Sequence, residues 1–395
     1  MRLSLLLLSL AFATACSNTA GTCSIVNCGG CCDAEGQCRE GTTGDACGAA
    51  GLNCNTCSGG QVCTDKRCVL PMVVFDAGAP FDAGVPIIAH VETWTWADFP
   101  ASACGNGTPT GVGVNISTRS SDVFIYLMGG GACWSPLTCA FAATNLSTGY
   151  GQADFSNDGI RLAPPFDRAV ATNPFKDMSY VFVPYCTGDV HAGDNIVNYP
   201  AQGPQVPART VHHKGGKNLE AFLGRLHDTF PDATRIFLAG SSAGAFGAQL
   251  NYQRVAAAWP NAEVHLLADC AQIVNPAGTL LTEWITAWNL SIPPACTGCG
   301  TDFSLFPKYL HDSAPTRRFG LLAYTQDGTL RQFAGYDGPT FEQRTLALAA
   351  SGYDTTSNAK YFIVGGGDHV MLGDLQTLQG PQGTSLVSWL QAFVR

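Results

Sequence analysis

The chain reads as an α/β protein built on a mostly parallel sheet, with a small cysteine-rich module in front of it. Three observations predict this. Beyond His90, short runs of Val, Ile, Leu and Phe alternate with stretches whose apolar residues recur at helical spacing. Those runs are continuous rather than alternating, as strands covered on both faces require. Ahead of them, ten cysteines fall between Cys23 and Cys68, where large apolar residues are scarce.

The first 16 residues, "MRLSLLLLSLAFATAC", have a basic Arg2, an apolar stretch from Leu3 to Phe12 and small residues at Ala13 and Ala15. This is the pattern of an export signal. Cys16 directly after it resembles the acylated cysteine of a lipoprotein. The expected location is secreted or lipid-anchored at a bacterial cell envelope. No later stretch is apolar and long enough to cross a membrane.

Residues 17–70 form the cysteine-rich module. Export favours disulfides over zinc, although "CGGCC" and "CNTC" have zinc-knuckle spacing. Ten cysteines suit five bridges, which must replace the missing core. Such modules tether to matrix or cell surface, or act as stalks. Residues 71–88 repeat "FDAG" between prolines and read as an extended linker. The α/β domain spans 89–395. A net charge of −9 and the lack of a dense basic run argue against nucleic acid as a partner.

The predicted strands are 122–128, 179–185, 234–240, 263–269, 319–325 and 360–366, and the predicted helices are 216–230, 243–259 and 385–394. Chemistry gathers where strands end. "TRIFLAG" leads through "SSAG" into a helix, which gives G-x-S-x-G at a strand-to-helix turn. The central residue of such a turn is held in a strained conformation, and its flanking residues must be tiny. Centred on Ser242, the flanks are Gly240 and Gly244; centred on Ser241, they are Ala239 and Ala243. Ser242 is therefore the candidate nucleophile.

A serine nucleophile needs a base. In an α/β-hydrolase the order along the chain is Ser, acid, His, so the base follows Ser242 and His265, His311 and His369 remain. His265 lies inside a strand and reads as a core residue. His311 sits in a polar stretch and reads as exposed, and "HHKGG" at 212–216, two adjacent histidines without a third partner, reads as a polar loop rather than a metal site. His369, in "FIVGGGDHVML", follows the last strand in a glycine loop and is the candidate base. Asp327, after the strand "LLAYTQ", is the candidate acid, fixing the imidazole tautomer. Asp269 also follows a strand, but earlier; it could orient a loop or shape the pocket. "YLMGGGACW" places Gly129–Gly131 after another strand, where backbone N–H groups can converge on an oxyanion, with the Ala243 N–H as a further donor. A phosphate cradle is the rival use of such glycines, but no Lys-Ser/Thr follows.

Together, "LMGGGACW", "PYCTGDVHAG", "LAGSSAGAFG", "LLADCAQ" and "AYTQDG" resemble the pectin acetylesterase family, which includes the Notum carboxylesterases. The resemblance spans 90–395. It implies an α/β-hydrolase-like fold with flanking helices, a serine carboxylesterase mechanism and neither metal nor cofactor. Carried over by position, it implies Ser242, Asp327 and His369 as the triad and Gly130, Gly131 and Ala243 as oxyanion donors. The implied substrate is an ester on an acetylated polysaccharide such as pectin. The alternatives are a long-chain acyl ester of the Notum type, an amide on the same triad, or a hydrolase fold that only binds. This chain departs from the family's usual pattern at Met128, Ala132, Trp134 and Cys270. Within the domain, Cys133–Cys139, Cys296–Cys299 and Cys104–Cys186 are the candidate bridges, leaving Cys270 free.

Overall fold

The computed structural model describes residues 23–58, 61–64, 66–69 and 85–395. The predicted export signal, Cys16 and both "FDAG" units lie outside the described residues. The chain divides into two compact units at position 70.

The first unit is held by bridges Cys23–Cys32, Cys28–Cys38, Cys31–Cys54, Cys47–Cys63 and Cys57–Cys68. Its strands are two or three residues long. Cys28, Cys31, Cys32 and Cys47 are its buried residues of hydrophobic type. Sulfur thus does the work of a core, and each bridge closes a loop worth about 3 kcal/mol in the chain-entropy model.

The second unit is organised by an eight-stranded sheet. Its strands are β1 (Thr95–Phe99), β2 (Thr110–Asn115), β3 (Val123–Leu127), β4 (Ser179–Val183), β5 (Arg235–Ser241), β6 (Glu263–Asp269), β7 (Phe319–Tyr324) and β8 (Ala359–Val364), in spatial order 8-7-6-5-3-4-2-1. β3 to β8 are mutually parallel; β2 and β1 close one edge antiparallel. The mostly parallel sheet and its flanking helices are those the alternation predicts. β3, β4 and β7 are buried at every position, so their continuous apolar runs are what burial on both faces demands. β8 differs from expectation. It is the outer strand of the sheet, and Lys360 and Tyr361 are exposed on it.

The antiparallel strands β1 and β2 are absent from the predicted set. Their sequences, "TWADF" and "TGVGVN", hide the apolar signal. Gly113 of β2 leaves space for Phe155, whose ring stands 2.4 Å from where a Cβ would be.

The helices that position the site are α1 (Pro136–Phe141), α2 (Gly215–Thr229), α3 (Ala243–Ala258), α4 (Leu280–Trp288), α5 (Phe306–Ser313), α6 (Leu330–Ala334) and α7 (Leu386–Val394). α2 buries Leu219, Phe222, Leu223 and Leu226, the spacing expected of one helical face. α3 is buried almost throughout and is made mainly of small residues, which lets it lie close to the sheet. Among the described residues, no helix is long and apolar enough to cross a membrane.

Two histidine expectations change. His311 is buried on α5, not exposed, with Nδ1 3.0 Å from Gly352 O and its ring 4.8 Å from that of Phe319. Burial pushes its pKa down to about 4. "HHKGG" is not a loop. His212 and His213 pair in the hairpin Asn195–Tyr199/Arg209–His213, and the glycines open α2. His213 is buried between Tyr199 Oη at 3.0 Å and Thr187 O at 2.9 Å. His265 is buried as expected, accepting from Arg318 N.

Cys104–Cys186, Cys133–Cys139 and Cys296–Cys299 are bridged, and Cys270 is free and buried.

Candidate active site

Strand order reverses between β3 and β5, the point where parallel sheets open a crevice at their carboxyl ends. The "MGGGACW" loop leaves β3 there, and "SSAG" leaves β5 beside it.

Ser242 lies between β5 and α3 with φ 55° and ψ −125°. A non-glycine residue held there costs about 1–3 kcal/mol and persists only where its surroundings fix it. Here they do. The Ser242 N–H donates to Asp269 O at 2.8 Å, and Ser242 O accepts from Ala245 N and Phe246 N. The glycine spacing that selects Ser242 has a steric basis in the fold. A Cβ on Gly240 would stand 2.4 Å from Gly244 C, and one on Gly244 would stand 1.9 Å from Leu127 O. Gly244→Ala is therefore expected to destabilise the domain by roughly 3 kcal/mol or more, as clashes at close backbone approaches do. Thermal melting against wild type checks this; an unchanged midpoint would contradict the packing described.

The glycine loop is anchored at both ends. Met128 N donates to Val183 O, and Met128 O lies 2.8 Å from His191 Nε2. Beyond the glycines, Ala132 N donates to Ala142 O, Cys133 N to Gly188 O, and Trp288 Nε1 to Cys133 O. Gly130 and Gly131 have φ 148° and 74°, and a Cβ on Gly131 would meet Ala142 O at 1.9 Å. Among the described residues, no protein oxygen accepts from the N–H of Gly130, Gly131 or Ala243.

His369 lies in the loop after β8. Its Nδ1 is 2.7 Å from Asp327 Oδ2. Asp327 is fully buried, and its other oxygen accepts from Thr329 N at 3.0 Å and Leu330 N at 2.8 Å. A carboxylate in that position requires the proton on Nδ1 and leaves the lone pair on Nε2. The loops carrying the two residues are joined by Gln326 N to Gly366 O and by Gly328 N to Gly367 O.

Two cavities meet at Ser242. One, of about 490 Å³, is open and lined by Gly129–Gly131, Phe141, Ser242 and His369 among others. The other is apolar and small, about 40 Å³, and is walled by Trp134, Trp284, Trp288, Phe246 and Phe333 with Ser242 and Ala243 at its mouth. Trp134 meets Trp284 edge-on at 5.6 Å and Phe333 at 6.0 Å. The structure thus brings Ser242, His369, Gly130, Gly131 and Ala243 to one crevice, with Asp327 behind His369. The aromatic wall is not among the residues singled out from sequence. Trp284 and Trp288, four apart on α4, carry its signal.

A model of the pectin acetylesterase domain matches residues 95–287 of the chain. Residues 95–287 thus resemble the pectin acetylesterase family. The chain is 26% identical over 222 residues to the mouse palmitoleoyl-protein carboxylesterase NOTUM, covering 49% of this chain and 41% of that one. The human protein of the same name is 26% identical, over 49% and 42%. The Xenopus laevis palmitoleoyl-protein carboxylesterase notum2 is 28% identical over 162 residues, covering 39% and 30%. The chain therefore matches about two fifths or less of the length of these relatives. The family match spans β1 to α4, and so holds the glycine loop and the elbow, while Asp327 and His369 lie beyond it.

Proposed function

We propose that the protein is a secreted serine carboxylesterase that removes a short acyl group, such as acetyl, from a bulky alcohol such as a pectin hydroxyl. The pectin acetylesterase match and the carboxylesterase relatives support ester hydrolysis. The pair of unequal cavities at Ser242 carries the choice of substrate. The 40 Å³ pocket is about three times the ~10–15 Å³ that a cavity needs to hold one water, so it admits only a short tail. A methyl group suits that space and a long chain does not. The open cavity leaves the alcohol side unrestricted, as a polymer requires.

In this reading His369 Nε2 takes the proton of Ser242 Oγ, and Oγ attacks the ester carbonyl. The N–H groups of Gly130, Gly131 and Ala243 receive the oxyanion. Imidazolium, steadied by Asp327, gives its proton to the leaving alcohol. Water, deprotonated by His369, then releases the acid and restores Ser242. No step calls on a metal or cofactor. The bridged module at 17–70 would hold the enzyme near its polymer or cell surface, with Cys16 as the site of a lipid anchor.

Chain-length preference tests the substrate class. Wild type is expected to hydrolyse p-nitrophenyl acetate with kcat/KM at least ~10-fold above that for the octanoate, the scale on which pockets discriminate methylenes. Trp134→Ala, which opens the wall, is expected to narrow or reverse that ratio. A wild-type preference for octanoate would instead favour the long-chain reading carried by the relatives' names.

A further inference from the structure

Asp269 takes no part in the proton transfers above, yet it is the most heavily used acceptor near them. It ends β6, next to β5, and is fully buried. Its Oδ1 accepts from Met371 N at 2.8 Å. Its Oδ2 accepts from Ser241 Oγ at 2.6 Å and from Leu372 N at 3.1 Å. Its main-chain oxygen accepts from Ser242 N at 2.8 Å. One residue therefore grips both the turn carrying Ser242 and the chain two and three residues beyond His369. Cys270 adds a third hold on that chain, its Sγ accepting from Val370 N at 3.2 Å.

The held segments are strained. Val370 has φ 61°, Cys270 φ 52° and Ser242 φ 55°. A β-branched residue is seldom found there, so Val370 needs an outside restraint to stay. Left alone, it would relax toward negative φ and swing the adjacent His369. The clamp on Val370, Met371 and Leu372 opposes this.

Burial raises the Asp269 carboxyl above its ordinary pKa, against the pull of Ser241, Leu372, Met371 and His369. A folded-state pKa above the unfolded one means that ionised Asp269 costs stability as pH rises through the acid range. Yet Ser241 Oγ–H and two backbone N–H groups all present protons to it, an arrangement that suits a carboxylate. A buried charge kept at a cost to stability, between two halves of a reaction centre, is the mark of a group retained for geometry.

From these contacts we infer that Asp269 is a positioning residue, which locks the nucleophile turn to the base loop and sets the approach of His369 to Ser242. The inference rests on the serine esterase reading above. It does not make Asp269 a proton carrier, because its oxygens are occupied by Ser241 and by backbone groups rather than by His369.

Asp269→Asn tests it. The amide keeps the shape and removes the buried charge, so melting should stay within a few degrees of wild type. Whichever way the amide turns, its NH2 faces a backbone N–H of Met371 or Leu372, and the base loop loses a tie. On p-nitrophenyl acetate, kcat is expected to fall about 10²-fold, the scale of an ångström-sized misplacement, while KM changes by less than about threefold. Ser241→Ala, which cuts the Ser241 tie and the Tyr126 hydroxyl's bond to Ser241 but leaves the backbone ties of Asp269 in place, should lower kcat about 10-fold, and the double variant should be no slower than Asp269→Asn. That non-additivity and the split between kcat and KM are not expected of an aspartate that only stabilises the fold. Asp269→Asn with native melting and kcat within about threefold of wild type would overturn the inference. So would wild-type kcat in Ser241→Ala, which stands as the test should Asp269→Asn fail to fold. Failure of the esterase reading looks different: wild type itself would then be no faster than Ser242→Ala.

Discussion

Ser242→Ala is expected to lower kcat/KM on p-nitrophenyl acetate by about 10⁵- to 10⁶-fold, leaving the residual rate that oxyanion donors and binding supply. The loss should not come from unfolding. The alanine removes one hydroxyl, keeps the Cβ, and faces the same φ of 55° that serine tolerates. The Ser242 N–H and O, which hold the turn to Asp269, Ala245 and Phe246, are main-chain groups and survive the change. The melting temperature should therefore match wild type. Ser241 provides the internal control. Its Oγ is committed to Asp269, so its loss should cost far less than that of its neighbour. Two adjacent serines would then differ by several orders of magnitude because one sits on the corner and the other at the end of the strand.

Asp327→Asn is expected to lower kcat by about 10⁴-fold with the fold intact. Asp327 divides its oxygens between two tasks. Oδ1 accepts from Thr329 N and Leu330 N, and Oδ2 faces His369 Nδ1. In the variant, the amide oxygen should stay with the two backbone donors, because the NH2 group cannot accept from them. The NH2 then faces His369 and demands a lone pair on Nδ1. The proton moves to Nε2, and the nitrogen meant to act as base becomes a donor. KM should change little. Equal kcat in Asp327→Asn and wild type, measured side by side with melting, would remove Asp327 from the proposed triad.

The central sheet is legible in the sequence because a strand covered on both faces has no polar alternation to obscure it. "VFIYL", "SYVFV" and "FGLLAY" announce themselves through composition. β1 and β2 do not, because β2 exchanges side chains for glycines that make room for Phe155. The candidate site is legible for a different reason. Chemistry at the carboxyl end of a parallel sheet comes from short segments at strand ends, and glycine marks each of them: Gly240 and Gly244, Gly129–Gly131, and Gly365–Gly367. The aromatic wall has no such mark. Trp134, Trp284, Phe246 and Phe333 come from separate elements, and only the fold brings them together. His311 misleads because Lys308 and Asp312, on the same short helix, are polar, while its ring turns with the apolar face of α5.

The account turns on Ser242 carrying the acyl group. The most direct measurement is tandem mass spectrometry of the tryptic peptide 236–254 after reaction with a fluorophosphonate, which is displaced by an activated serine and stays attached. That peptide contains both Ser241 and Ser242. The account predicts one adduct per chain, located on Ser242, with loss of activity in step with labelling and no adduct in Ser242→Ala. An adduct on Ser241 or outside the peptide, or full activity in the labelled enzyme, would contradict it.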